Sequence, residues 1–95
     1  MTDVIYRVDK RDGAVFALFP HEVFDRRGNV VCYAHIGQHG AADYRHCIQR
    51  SRPAIESELA PLKVELQRIG YVDLKEVSRQ KGDKWRAAIR AAREI

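Results

Sequence analysis

The chain has 95 residues, 45% of them apolar and 32% charged, with a formal net charge of +4. That length supports one domain with one modest core. The composition excludes disorder over most of the chain, and no apolar run approaches the roughly 18 residues of a membrane-spanning helix.

Two cysteines, Cys32 and Cys47, are too few for a disulfide scaffold. Met1-Thr2-Asp3-Val4 shows neither the basic nor the apolar segment of an export signal, so a cytoplasmic protein with reduced thiols is expected. The charge is segregated. Eleven basic residues balance eleven acidic ones over 1–77, whereas 78–95 holds six basic residues against Asp83 and Glu94. A tail of this kind meets an anionic partner or forms a solvated helix.

Residues 4–8 read as a first strand, rich in β-branched and aromatic side chains. Asp12-Gly13 marks a hairpin turn. Residues 14–19 return as a second strand, apolar on both faces and so central. Pro20 removes a ladder donor and is expected to stop it. A polar loop closes at Arg27-Gly28-Asn29. Residues 30–36 form a third strand, with Val30, Cys32, Ala34 and Ile36 on one face and Val31, Tyr33 and His35 on the other. Residues 37–40 read as a turn.

A short helix over 44–50 follows, ended by Ser51-Arg52-Pro53. Ile55, Leu59, Leu62, Leu66 and Ile69 make one apolar stripe and predict a long helix over 55–69. Pro61 inside it predicts a kink or split near Glu58. Gly70 suits the C′ position. Residues 71–77 alternate as a fourth strand, and Asp83 is placed to cap a last helix over 84–94. The order βββααβα predicts an α+β fold: a small antiparallel or mixed four-stranded sheet with helices on one face. Residues 1–77 would form the core, with 78–95 a basic helix packed on it or appended to it.

The densest polar stretch is Cys32-Tyr33-Ala34-His35-Ile36-Gly37-Gln38-His39-Gly40, followed by His46-Cys47. Cys32, His35, His39 and Cys47 have tolerable zinc spacing. Strand parity, however, sends Cys32 and His35 to opposite faces, leaving a core thiol and histidines bonded to backbone at a sharp turn. Adjacent helical residues diverge, so His46 and Cys47 do not make a nucleophilic pair. No carboxylate pair, phosphate loop or nucleophile elbow is present. The turn reads better as a recognition surface. Gln38 and His39 project from a glycine-flanked bend, and Tyr44, Arg45, Arg50 and Arg52 follow with groups suited to carboxylate or phosphate. The competing reading pairs these arginines with Glu56, Glu58 or Asp43 on the surface.

Trp85, Ala88, Ile89, Ala92 and Ile95 form the apolar stripe of the terminal helix, flanked by Lys84, Arg86, Arg90 and Arg93. It can close the core with its basic edge in water, dock on a partner, or bind nucleic acid.

Several segments over 4–77 resemble small uncharacterised bacterial proteins of phages and conjugative elements that carry a Tyr-x-His-Ile-Gly-Gln-His motif. They are Ala17-Leu18-Phe19-Pro20, Tyr33-Ala34-His35-Ile36-Gly37-Gln38-His39-Gly40 with Tyr44, Arg52-Pro53-Ala54, and Leu62-Lys63-Val64-Glu65-Leu66 through Ile69-Gly70-Tyr71. The resemblance implies an accessory role in a mobile element, such as handling host defences, and assigns no catalytic residue. Pro61 stands where such proteins carry an ordinary helical residue.

The expectation is therefore a non-enzymatic accessory protein that binds a host protein or nucleoprotein complex, an anti-CRISPR-like inhibitor being one concrete form. Gln38, His39, Tyr44, Arg45, Arg50 and Arg52 would make the contact. The first alternative is nucleic-acid binding through Lys81, Lys84, Arg86, Arg90 and Arg93. The second is a small metalloprotein on His35, His39 and Cys47. No cofactor, metal or membrane is expected, and a second copy of the chain is a further candidate partner through an open sheet edge.

Overall fold

The computed structural model describes residues 1–34 and 38–94. Nine elements follow in the order β1 (Thr2–Asp9), β2 (Val15–Val23), β3 (Val30–Ala34), β4 (Gln38–Ala42), α1 (Tyr44–Gln49), β5 (Ser51–Pro53), α2 (Glu56–Arg68), β6 (Leu74–Glu76) and α3 (Gly82–Arg93). The α+β class stands, with a six-stranded sheet in place of four strands. Its path is β4-β3-β2-β1-β5, antiparallel throughout, and β6 joins β1 in parallel.

The first hairpin forms as its residues require. Gly13 turns at φ 74°, and Asp9 N–H donates to the Ala14 carbonyl at 2.9 Å. Asp12 Oδ1 accepts from Ala14 N–H, the local bond that suits aspartate to turns. Several local expectations need correction. Residues 38–42 are a strand rather than part of a turn, with His39 opposite Tyr33 and Gly40 opposite Cys32. They contain no β-branched residue, so pairing with β3 decides their conformation, not propensity. Pro20 does not end β2. It lies where the β2–β3 register shifts between Phe19 and Val23, so no ladder bond needs its missing N–H. Nor does Pro61 split α2, which runs unbroken with Pro61 on its exposed side.

Alternation along the strands makes two cores. On one face Val4, Tyr6, Ala17, Phe19 and Tyr33 meet Leu59, Leu62 and Leu66 of α2. On the other, Ile5, Phe16, Leu18 and Val30 meet Cys47 of α1, with Trp85 of α3 packed against them. Helices thus cover both faces rather than one, which explains why β2 is apolar on both. Each large side chain buried in these layers stabilises by about 1.5–3 kcal/mol. The ends of the predicted α2 stripe, Ile55 and Ile69, remain exposed.

Two charged residues, Arg7 and Asp9, are buried on the α1 side. The Arg7 guanidinium donates to Ser51 Oγ at 2.9 Å, to the Ser51 carbonyl at 2.7 Å and to the Ile48 carbonyl at 3.2 Å. It therefore caps the carboxyl end of α1, where a cation is favoured, and ties that helix to β1. Burial lowers the pKa of this guanidinium. Among the described residues, no helix is long and apolar enough to cross a membrane.

Candidate functional site

The terminal helix is held along the sheet at both ends. At its start, Lys81 N–H donates to His21 Nε2 at 2.8 Å, and His21 Nδ1 lies 2.8 Å from Asp3 Oδ2. An Nε2 that accepts carries no proton, so Nδ1–H donates to Asp3. Lys81 is the N-cap residue and Asp83 lies inside the first turn, so Asp83 favours the helix through its charge and not as the cap. Gln80 Nε2 donates to the Pro20 carbonyl, and Gln80 N–H to the Tyr44 hydroxyl at 2.8 Å.

At its middle and end, α3 grips the turn between β2 and β3. Trp85 Nε1 donates to the Gly28 carbonyl at 3.0 Å, and the Arg93 guanidinium donates to the Arg26 carbonyl at 3.1 Å. Gly28 has φ 87°, and a Cβ there would sit 2.9 Å from Trp85 Cζ2 and 3.0 Å from Ile89 Cδ1. Both its torsion and its contacts therefore demand glycine. Asp25 shapes the turn by accepting from Arg27 N–H, Asn29 N–H and Asn29 Nδ2.

This docking leaves two shallow concavities that share Trp85. One, about 480 Å³, lies between the turn and α1, with Arg27, Asn29, Arg45, Gln49, Gln80 and Trp85 at its walls. Tyr44, Ile48 and the single acid Asp43 complete it. The other, about 510 Å³, follows α3 past Arg86, Ile89, Arg90, Arg93 and Glu94. Arg27, Arg45, Arg86 and Arg90 are exposed, and none forms an ion pair with a described carboxylate.

The expected contact surface is divided by this arrangement. His39 lies on the α2 face, with its ring edge-on to Tyr33 at 4.8 Å and its Nε2 3.1 Å from the Tyr71 hydroxyl. Tyr71 in turn stacks on Phe19 at 5.0 Å. Burial first, and then nearby Glu22 and Tyr33, push the Tyr71 phenol up. Tyr44 packs against the other core, so His39 and Tyr44 occupy opposite faces of the sheet. Gln38 pairs with Ala34 in β4.

Arg52 is held by Glu58 at 2.8 and 2.6 Å, as the competing reading has it. That pair, together with Ile55 N–H on the same carboxylate, brings the Glu58 pKa to about 2. Arg50 turns toward Asp9 and Cys47, its Nε 3.8 Å from the Asp9 carboxylate. Of the six residues, only Tyr44 and Arg45 border the concavity beside Trp85.

The basic helix also divides. Lys84 lies 3.6 Å from Asp3 and Arg93 holds the Arg26 carbonyl. Lys81, Arg86 and Arg90 reach solvent. Arg27, Asn29, Gln49 and Trp85 were not among the sequence-derived site residues. Arg26-Arg27-Gly28 offered a signal, a basic pair before a turn glycine, but its position beside α3 is a tertiary fact.

His35, the metal candidate and the key to the parity argument, lies outside the described residues with Ile36 and Gly37. Among the described residues no three His, Cys, Asp or Glu side chains are grouped to hold an ion. Cys32 shares the α1-side core with Cys47. Burial pushes the Cys32 thiol up to about 11 and raises Cys47 as well. Both therefore stay protonated at neutral pH, the form that is not nucleophilic.

No family model, curated protein or solved structure matches this chain.

Proposed function

We propose that this chain is a non-enzymatic binding protein that engages the phosphates of a nucleic acid through α3, the turn between β2 and β3, and α1. One observation carries the reading. Arg27, Arg45, Arg86 and Arg90 surround Trp85 without an ion pair to any described carboxylate, beside two concavities. Guanidinium groups left unpaired in this way suit phosphate, which they bind in a planar, bidentate fashion. The tail that holds the whole charge excess is thus joined by basic groups from two other parts of the chain. The resemblance to proteins of phages and conjugative elements supports an accessory setting, in which a host nucleoprotein complex would be met through its nucleic acid.

Fluorescence anisotropy with labelled DNA and RNA, titrated with salt, tests the proposal. Four phosphate contacts predict a log–log slope of about −3 to −4. Joint replacement Arg86→Glu and Arg90→Glu should remove binding at moderate salt without lowering Tm, because neither side chain is held in the fold. Reversal at Arg68, on α2 across the sheet, should leave binding unchanged. Absence of binding at low salt, or equal losses from both sets of variants, would refute the proposal.

A further inference from the structure

We infer that the concavity between Arg27, Arg45 and Trp85 takes an unpaired base, so that the ligand is single-stranded nucleic acid rather than duplex. The inference rests on the nucleic-acid reading above and adds the form of the ligand.

Three observations converge on it. First, Trp85 borders both concavities, about 480 and 510 Å³, so an aromatic wall stands between two openings. Aromatic walls of this kind stack bases of any sequence, provided that the base faces are free. Second, the chemistry around the first opening matches a nucleotide. Arg27 and Arg45 suit its phosphates, while Gln49 offers an amide donor and acceptor for a base edge. Asn29 is less available, since its Nδ2 already donates to Asp25 at 2.9 Å.

Third, α3 is poorly placed to enter the major groove of a duplex. Readout there needs a helix that protrudes. Here the Gly28 carbonyl against Trp85 and the Arg26 carbonyl against Arg93 fasten the turn along the helix. On the other side, the Tyr44 hydroxyl of α1 accepts from Gln80 N–H just before α3 begins. The base-sized feature of this surface is a recess. In a duplex the bases are stacked and paired, and cannot enter it.

Trp85 is the sole tryptophan, so its emission reports on this site alone. The probes are a short single-stranded oligothymidine, a hairpin duplex of similar charge, and inorganic polyphosphate as an anion without bases. The single strand is expected to change Trp85 emission on saturation and to bind about tenfold more tightly than the duplex, the effect of one good stack. Polyphosphate should leave the emission unchanged.

Trp85→Leu should bring the two affinities together while keeping the salt slope. Should that variant fail to fold, exposed Gln49→Glu serves instead, and it should weaken the single strand more than the duplex. Equal wild-type affinity for both forms, or unchanged emission at saturation with the single strand, would overturn the inference and leave the parent proposal standing. Failure of every nucleic acid to bind at low salt would overturn both.

Discussion

Gly28 and Trp85 are fitted to one another: the indole donates to the glycine carbonyl at 3.0 Å, and its ring edge occupies the space where a Cβ would stand. This contact joins the β2–β3 turn to the terminal helix. It also fixes the ring that separates the two concavities.

Gly28→Ala should therefore destabilise the protein by roughly 2–4 kcal/mol, combining left-handed backbone strain with overpacking. Gly13 is the control, since it also has positive φ but a Cβ there meets nothing within 4 Å. Gly13→Ala should cost only the strain, about 1 kcal/mol. Chemical denaturation of both variants decides the point, and equal losses would contradict the packing account.

The Arg52–Glu58 pair predicts a defined pH dependence. Glu58 is depressed from 4.5 to about 2 in the fold, led by its hydrogen bond to Arg52. A depressed carboxylate contributes stability above its unfolded pKa and loses it as pH falls through the folded value. Arg52→Ala should be less stable than the parent above about pH 4.5 and should converge with it near pH 2. Urea midpoints across that range provide the measurement. A gap that stays constant down to the lowest pH would show that packing, not charge, is responsible.

Among the described residues the Tyr6 hydroxyl is buried without a hydrogen-bond partner, and burial raises its pKa to about 12. Removing an unsatisfied buried polar group recovers its desolvation cost, of order 1 kcal/mol. Tyr6→Phe should thus equal or exceed the parent in Tm. A clear loss would mean that the hydroxyl has a partner in solution.

Cys32 and Cys47 should resist alkylation by iodoacetamide in the native protein at neutral pH. Both thiols are shifted upward by burial, and only the thiolate reacts. Under denaturing conditions both should label fully, as mass spectrometry will show. Rapid native labelling of either would contradict their placement in the core.

Much of this fold was legible in the chain. The Leu59, Leu62 and Leu66 stripe is the buried side of α2, and Asp12-Gly13 is the first hairpin turn. The doubly apolar β2 matches cover on both faces of that strand. β4 is not legible because Gln38-His39-Gly40-Ala41-Ala42 has turn-like composition and becomes a strand only through its neighbour. For the site, charge counting found α3 but not its companions. Arg27 and Arg45 join Arg86 and Arg90 through the docking of a turn and a helix, a juxtaposition with no local periodicity to reveal it. Conversely, the closely spaced Gln38, His39, Tyr44 and Arg45 are parted because a strand and a cap intervene and send His39 and Tyr44 to opposite faces.

The position of β1 bears on how the chain reaches this state during synthesis. Its first residues align with Leu74–Glu76 and its last with Ser51–Pro53, while its other side takes β2. A growing chain can close the β1–β2 hairpin early, yet the Thr2–Val4 part of the opposite margin waits for Leu74–Glu76, about fifty residues beyond the end of β2. Translation speed across that interval should govern how often nascent chains meet one another through this bare margin, and slowing it before Leu74 should lower the yield of native protein.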